Sequence, residues 1–235
     1  MKKLIAICAF SILAFACSSK KEGNMIVKGQ IKGLKKGVLY LQKMNDTVLV
    51  SVDSMTLLGD DKFILTDDVE SPEMYYLTFD GNTNEKSLMF FGEKGEITIN
   101  DKLEEFGFRP VITGSKNQEV MDKFRDINRK FQDQRLEFIK RDMEARQAKD
   151  EELIKQVAVD YKRMMRRRFL FSTNFAIANA DNEAAPYIAL SELYDANIML
   201  LDTINNSLSD KVKNSNYGKR LQKFVNRIKT EESAK

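Results

Sequence analysis

The sequence predicts an α+β chain: an N-terminal antiparallel β-sandwich or open barrel followed by a C-terminal α-helical region. Three observations carry this. Between Met25 and Thr113 the apolar residues come in short runs, in places alternating at period 2 and separated by turn residues. From Gly114-Ser115 onward they recur at helical spacing instead. The chain of 235 residues is long enough for two small domains or one large one.

The strands follow in order. Ile26, Val27 and Ile31 precede Val38 to Leu41, and Gly33-Leu34-Lys35-Lys36-Gly37 between them reads as the turn of a hairpin. Val48, Val50 and Val52 alternate with other residues, as the inner face of a half-buried strand does. Phe63 to Leu65, Met74 to Phe79, Leu88 to Phe91, Ile97 to Ile99 and Val111 to Thr113 complete the set. Gly59-Asp60-Asp61, Asp80-Gly81-Asn82 and Glu93-Lys94-Gly95 are turns between them, and Pro72 fits a strand start or an edge. The β domain is thus read as residues 25–114.

The helical region is read as residues 115–230, with a charged tail at 231–235. Ser115 and Gln118 resemble a capping box that opens the first helix. Val120, Met121, Phe124, Ile127, Phe131, Phe138 and Ile139 mark its apolar positions. A second helix runs from about Asp150 to Ala180 through Leu153, Val157, Tyr161, Met164 and Phe171, and Asn182 breaks it. Pro186 suits the first position of a third helix. Ile198 to Ile204 is a short apolar segment, Ser209 or Asn216 opens later turns, and Leu221, Phe224, Val225 and Ile228 form a last amphipathic stretch. The other faces of the long helices are dense with mixed charge, as on a solvated helix pair.

The first residues have another character. Lys2 and Lys3 precede an uncharged run from Leu4 to Phe15, then Ala16 and Cys17, and the chain turns polar at Ser18. A basic start, a short apolar stretch and small residues before a cut describe an export signal. Leu13-Ala14-Phe15-Ala16-Cys17 resembles a lipoprotein lipobox, although Ala14 stands where Leu is commonest and Phe15 is bulky. The expectation is a signal peptide at 1–16, lipid attachment at Cys17, and a tether at 17–24 that holds the chain to a membrane. Two or more acyl chains anchor stably where one does not. The alternative is a secreted chain in which Cys17 is incidental. Ser18 rather than Asp after the cysteine favours the outer membrane, and a lone Glu22 after two lysines favours its periplasmic face.

Composition excludes several chemistries. There is no histidine, so Ser-His-Asp and Cys-His catalysis and the usual zinc or copper ligands are absent. Of the 2 cysteines, Cys8 lies in the signal and Cys17 takes the lipid, which leaves no thiol for redox chemistry. A formal net charge of +3 sets up no global field toward nucleic acid. No catalytic, cofactor-binding or metal-ligating residue is read from the sequence.

Four features each carry a functional and a plain reading. Arg166-Arg167-Arg168, with Lys162 and Arg163, meets an anionic surface or partner, or is a solvated helix face. Met164, Met165 and Met199 line an adaptable apolar groove, or fill a core. The pairs Asp60-Asp61, Asp67-Asp68 and Glu151-Glu152 read as turn and cap residues rather than as facing catalytic carboxylates. Asp46-Thr47-Val48, Asp53-Ser54-Met55 and Asp202-Thr203-Ile204 resemble acceptor sites of periplasmic O-glycosylation, and arise easily by chance.

A wider pattern joins these segments. Val27, Gly29, Ile31, Gly33, Leu34, Gly37, Tyr40 and Leu41 are followed by Phe90-Phe91-Gly92-Glu93-Lys94-Gly95, by Ile112-Thr113-Gly114-Ser115, and by Pro186-Tyr187-Ile188-Ala189-Leu190. The arrangement, over about residues 25–229, is similar to the N-terminal domain of unknown function found in thioredoxin-like disulfide-reductase lipoproteins of Bacteroidota. In those proteins the region leads into a thioredoxin domain with Cys-x-x-Cys, and Tyr217-Gly218-Lys219 resembles the helix before that junction. This chain has no Cys-x-x-Cys, so the reductase activity is not carried over. The resemblance implies an accessory region. The expectation is a non-enzymatic, lipid-anchored envelope protein that binds a protein or peptide partner in the periplasm, without cofactor or nucleic acid. The alternative is the accessory part of a thiol–disulfide system whose thioredoxin domain is absent or separately encoded.

Overall fold

All of the strands precede all of the long helices. The computed structural model describes residues 23–80 and 87–233, so the expected signal, Cys8 and the lipid-attachment residue Cys17 lie outside the described residues. The strands are β1 (Met25–Lys32), β2 (Lys36–Asn45), β3 (Val48–Leu58), β4 (Lys62–Asp67), β5 (Glu73–Phe79), β6 (Leu88–Gly92), β7 (Gly95–Lys102) and β8 (Val111–Thr113). The helices are α1 (Lys116–Ala148), α2 (Glu151–Ala178), α3 (Ala184–Glu192), α4 (Ile198–Ser207), α5 (Asp210–Lys213) and α6 (Asn216–Ser233).

The expected α+β architecture is present. Two four-stranded sheets, ordered β4-β1-β7-β8 and β3-β2-β5-β6, face each other. The period-2 pattern explains the sandwich core: Val27, Leu39, Leu41, Tyr75, Leu77, Phe90, Ile97 and Ile99 all point inward and are fully buried. One pairing departs from an all-antiparallel sandwich, because β1 and β7 run parallel along their full length.

The expected hairpin at Gly33–Gly37 is not one. β1 and β2 lie in different sheets, so this segment carries the chain from one sheet to the other. Both glycines have left-handed backbone, with φ of 95° and 111°. Asp61 holds the crossing by accepting from the Gly33 amide at 3.0 Å and from Gln30 Nε2 at 2.7 Å. These hydrogen bonds, the Gly33 amide first, hold its carboxyl below the usual carboxylate range. The valine alternation in β3 also turns out differently. β2 and β3 form a ribbon that runs past the core, which leaves Val48 62% exposed and Val50 38% exposed at its free end.

Sheet β3-β2-β5-β6 is covered on both faces where it meets the helices. Met74 and Phe91 point away from the sandwich core and pack with Met121, Phe124, Ile188 and Tyr217. Gln118 Oε1 accepts from the Phe91 amide at 2.8 Å, and the Tyr217 hydroxyl accepts from the Met74 amide at 3.2 Å. Burial is the main cause that raises the Tyr217 phenol above its ordinary value. The capping box is therefore half formed. Ser115 Oγ accepts from the Gln118 amide at 3.0 Å, but the Gln118 side chain serves the sheet instead of closing the box.

α1 and α2 form a long antiparallel hairpin. Lys149 takes the left-handed conformation, φ 56°, and Asp150 caps α2 by accepting from the Leu153 amide at 3.0 Å. α1 has 33 residues, roughly 50 Å of helix, yet beyond Asn128 its only buried residue is Ala145. The remaining helices pack against the end of α2 in a cluster of Ala176, Leu193, Leu201, Ile204, Val212, Leu221 and Val225. Gly218 permits this closure, since a Cβ there would stand 2.0 Å from the Val212 carbonyl oxygen. Pro186 is the third residue of α3, not the first, because Ala184 opens that helix once its amide donates to Asn117 Oδ1 at 2.8 Å.

Candidate functional site

Along the hairpin the two helices bury one seam between them and leave further apolar residues outside it. Leu136, Ile139 and Met143 on α1 are 66%, 44% and 65% exposed. Their spacing of three and four residues puts them on one stripe. On α2, Ala158, Tyr161, Met165 and Phe169 form a second stripe beside it.

Two hollows lie along these stripes. One, of about 280 Å³, is bounded by Ile139, Met143, Val157 and Tyr161. The other, of about 690 Å³, lies between α2 and the start of α4 and is bounded by Tyr161, Met165, Phe169, Met199 and Leu200, with Lys162 and Arg166 at its rim. Tyr161 lines both, so they adjoin at that residue. Asp195 and Asn197 close the α4 end.

The three consecutive arginines do not act together. Successive helical residues are about 100° apart, so the side chains leave in three directions. Arg166 lies on the groove. Arg167 lies on the opposite side of the hairpin with Arg141 and Arg163. Arg168 turns inward, where its guanidinium pairs with Glu192 and donates from Nε to Asn128 Oδ1 at 3.3 Å. It ties α2 to α1 and α3. The methionines divide likewise: Met164 is buried, while Met165 and Met199 line the groove, the latter 71% exposed.

The paired carboxylates are separated by their roles. Asp60 Oδ1 accepts from the Lys62 amide and Asp61 pins the sheet crossing. Asp68 Oδ1 accepts from the Asn24 amide. Asp67 Oδ2 accepts from the Tyr75 hydroxyl at 2.6 Å and from Lys43 Nζ at 2.7 Å, which joins the two sheets. Burial first, then that hydrogen bond, raises the Tyr75 phenol far above its ordinary value. Glu151 and Glu152 occupy the first turn of α2. Among the described residues no group of three or more His, Cys, Asp or Glu could hold a metal ion.

Of the three Asp-Ser/Thr segments, Asp46-Thr47 is exposed at the tip of the β2–β3 ribbon. Asp53 accepts from the Thr66 amide at 2.9 Å within the sandwich. Thr203 is on α4, where its hydroxyl donates to the Met199 carbonyl at 2.7 Å. A further hollow of about 410 Å³ separates Phe108-Arg109-Pro110 from α1, where Asp122 pairs with Arg125 at 3.9 Å and Asp126 with Arg129 at 3.6 Å, and Arg109 lies over the Phe108 ring at 5.1 Å.

Sequence reasoning missed Ile139, Met143 and Tyr161 as groove residues and counted Ile139 and Tyr161 with the helix core. The signal was present in Leu136, Phe138, Ile139 and Met143, which occupy more than one stripe of α1. A two-helix hairpin can bury only one.

Residues 25–121 match the family model described as Domain of unknown function (DUF4369). That stretch of the chain is similar to DUF4369. It takes in the whole sandwich and the first residues of α1, including Asn117 and Gln118, which splice the helices to Glu93 and Phe91. Both hollows along α2 lie beyond the DUF4369 match. No curated protein and no solved structure matched the chain. Among the described residues no helix is long and apolar enough to cross a membrane.

Proposed function

We propose that the protein is a non-enzymatic, lipid-anchored module of the cell envelope that binds a protein partner. Cys17 carries the anchor, on the outer membrane and facing the periplasm, and the helical hairpin presents the binding surface. The observation that carries this reading is the exposed apolar groove of Ile139, Met143, Met165 and Met199 on a projecting hairpin. Contiguous exposed apolar surface of this kind marks interaction sites on folded proteins. The absence of histidine and of a free thiol from the sequence beyond Cys17 supports a binding role over a catalytic one. The DUF4369 domain serves as the rigid base between tether and hairpin.

The test is co-purification from crosslinked envelopes, with the native chain beside Cys17→Ala. A reproducible partner caught only by the native chain is the expected result. Repeated capture of nothing, or equal capture by the unanchored variant, would remove the anchored-module reading. A captured partner bearing Cys-x-x-Cys would turn the reading toward an accessory role in thiol–disulfide exchange.

A further inference from the structure

We infer that the groove takes one acidic amphipathic helix of a partner protein, which packs along α2, against α1 at one end and α4 at the other. The inference rests on the reading of the chain as a binding module, and it names the occupant.

Its first support is shape. Two antiparallel helices bury one stripe each, and a third helix fits the furrow between them when each offers a second stripe. Here α1 offers Ile139 and Met143 against Val157 and Tyr161 of α2, and beyond Tyr161 the furrow continues between Met165 and Phe169 of α2 and Met199 and Leu200 of α4. From Val157 to Phe169 the furrow follows α2 for roughly 18 Å, about three turns of helix. An occupant with apolar residues at i, i+3 or i+4, and i+7 would meet it. Exposed Met143 and Met199, with half-buried Met165 between them, suit such an occupant, since their side chains adapt to its outline.

The second support is charge. Lys162 and Arg166 flank the wide part of the furrow, and both are exposed. Neither has a carboxylate partner among the described residues, whereas Arg163 pairs with Asp160 and Arg146 with Asp142. Asp195 is the one carboxylate at the wide part, and it lies at the α4 end beside Asn197. The rim is therefore basic along α2. That disfavours a second copy of the same rim and favours glutamates or aspartates flanking the apolar face of the incoming helix.

The probe is a capped synthetic peptide of about 15 residues with leucines at i, i+3, i+7 and i+10 and flanking glutamates. A lysine-flanked version and a scrambled version serve as controls. Binding to the full chain is read by fluorescence anisotropy at two salt concentrations. The expected result is binding of the acidic peptide alone, weakened about tenfold by K162E with R166E and weakened by salt. The charge-reversed chain should then prefer the lysine-flanked peptide. Met199→Glu, at an exposed wall position that the fold does not need, should weaken binding by about tenfold or more.

Equal binding of acidic, basic and scrambled peptides would overturn the inference, as would no binding at all. So would a concentration-dependent dimer that Met199→Glu dissolves, because the occupant would then be a second copy. If the envelope partner is still captured by a chain carrying K162E, R166E and Met199→Glu, the binding-module reading stands and only this inference fails.

Discussion

The β-sandwich and the helical hairpin spend their apolar residues in opposite ways. In the sandwich, Leu39, Leu41, Tyr75, Leu77 and Phe90 are all fully buried between two sheets. In the distal hairpin, Leu136, Met143 and Val159 are 66%, 65% and 51% exposed. A sheet that packs on another sheet closes its apolar face over the whole length of the strands. A hairpin of two helices closes one stripe and leaves the flanks open. The sandwich therefore closes its own apolar face, while the hairpin leaves a second apolar stripe open among the described residues.

Substitutions should reveal the same asymmetry. The largest effect is expected at the junction. Phe91→Ala removes a fully buried ring that touches Tyr187 and Tyr217 edge-on, at centroid distances of 5.7 and 5.9 Å. It should cost about 3–5 kcal/mol, read from the urea midpoint by circular dichroism. Met143→Ala should stay within about 0.5 kcal/mol. If the two cost the same, the hairpin surface is not free.

The neighbouring arginines sharpen the comparison. Arg168→Ala leaves Glu192, 23% exposed, without its guanidinium and frees Asn128 Oδ1. Partial exposure discounts the loss to about 1–3 kcal/mol. Arg166→Ala and Arg167→Ala should change stability by less than about 0.5 kcal/mol, and only Arg166→Ala should weaken partner binding. Thermal denaturation of the three variants, alongside peptide binding, separates the inward residue from its two neighbours. Tyr75→Phe comes next. It deletes the hydroxyl that donates to Asp67 at 2.6 Å and should cost about 1–2 kcal/mol on the same assay.

The sandwich was legible in the sequence because period 2 is a local signal. Each run between turns identified a strand, and the inward residues Ile97 and Ile99 of β7 follow from alternation alone. Pairing was less legible, since the Gly33–Gly37 segment carries the same turn residues whether the chain doubles back in one sheet or crosses to the other. Asp61, 28 residues from Gly33, decides between them, and no window around the turn contains it. The parallel β1–β7 contact hides for the same reason. In the helical region the periodicity gave α1 and α2 but not which stripe would remain open. That depends on where the later helices pack, and they cover only the proximal end of the hairpin. Arg166, Arg167 and Arg168 read as one basic cluster along the chain and separate only when Glu192 and Asn128 draw the last of them inward.

The smallest effects are those of pH, and here the junction and the sandwich differ in sign. Glu73 is on β5 near the helices, and its side chain is 16% exposed. Burial is the main cause that raises its carboxyl above the ordinary value, against the attraction of Lys43 and Arg220. A raised folded value means that the native state binds the proton more readily than the unfolded chain. Its contribution is fully present below the unfolded value and is lost as pH rises through the folded one. Glu73→Gln should then stabilise the chain at neutral pH and leave it unchanged in acid. Asp61 behaves oppositely. The Gly33 amide and Gln30 lower its carboxyl, so its contribution is present above the unfolded value and is lost as pH falls through the folded one. Asp61→Asn should weaken the chain at neutral pH and flatten the acid side of the profile. Urea midpoints of both variants across pH 3–8 check this, and parallel profiles would show that neither carboxylate is held as described.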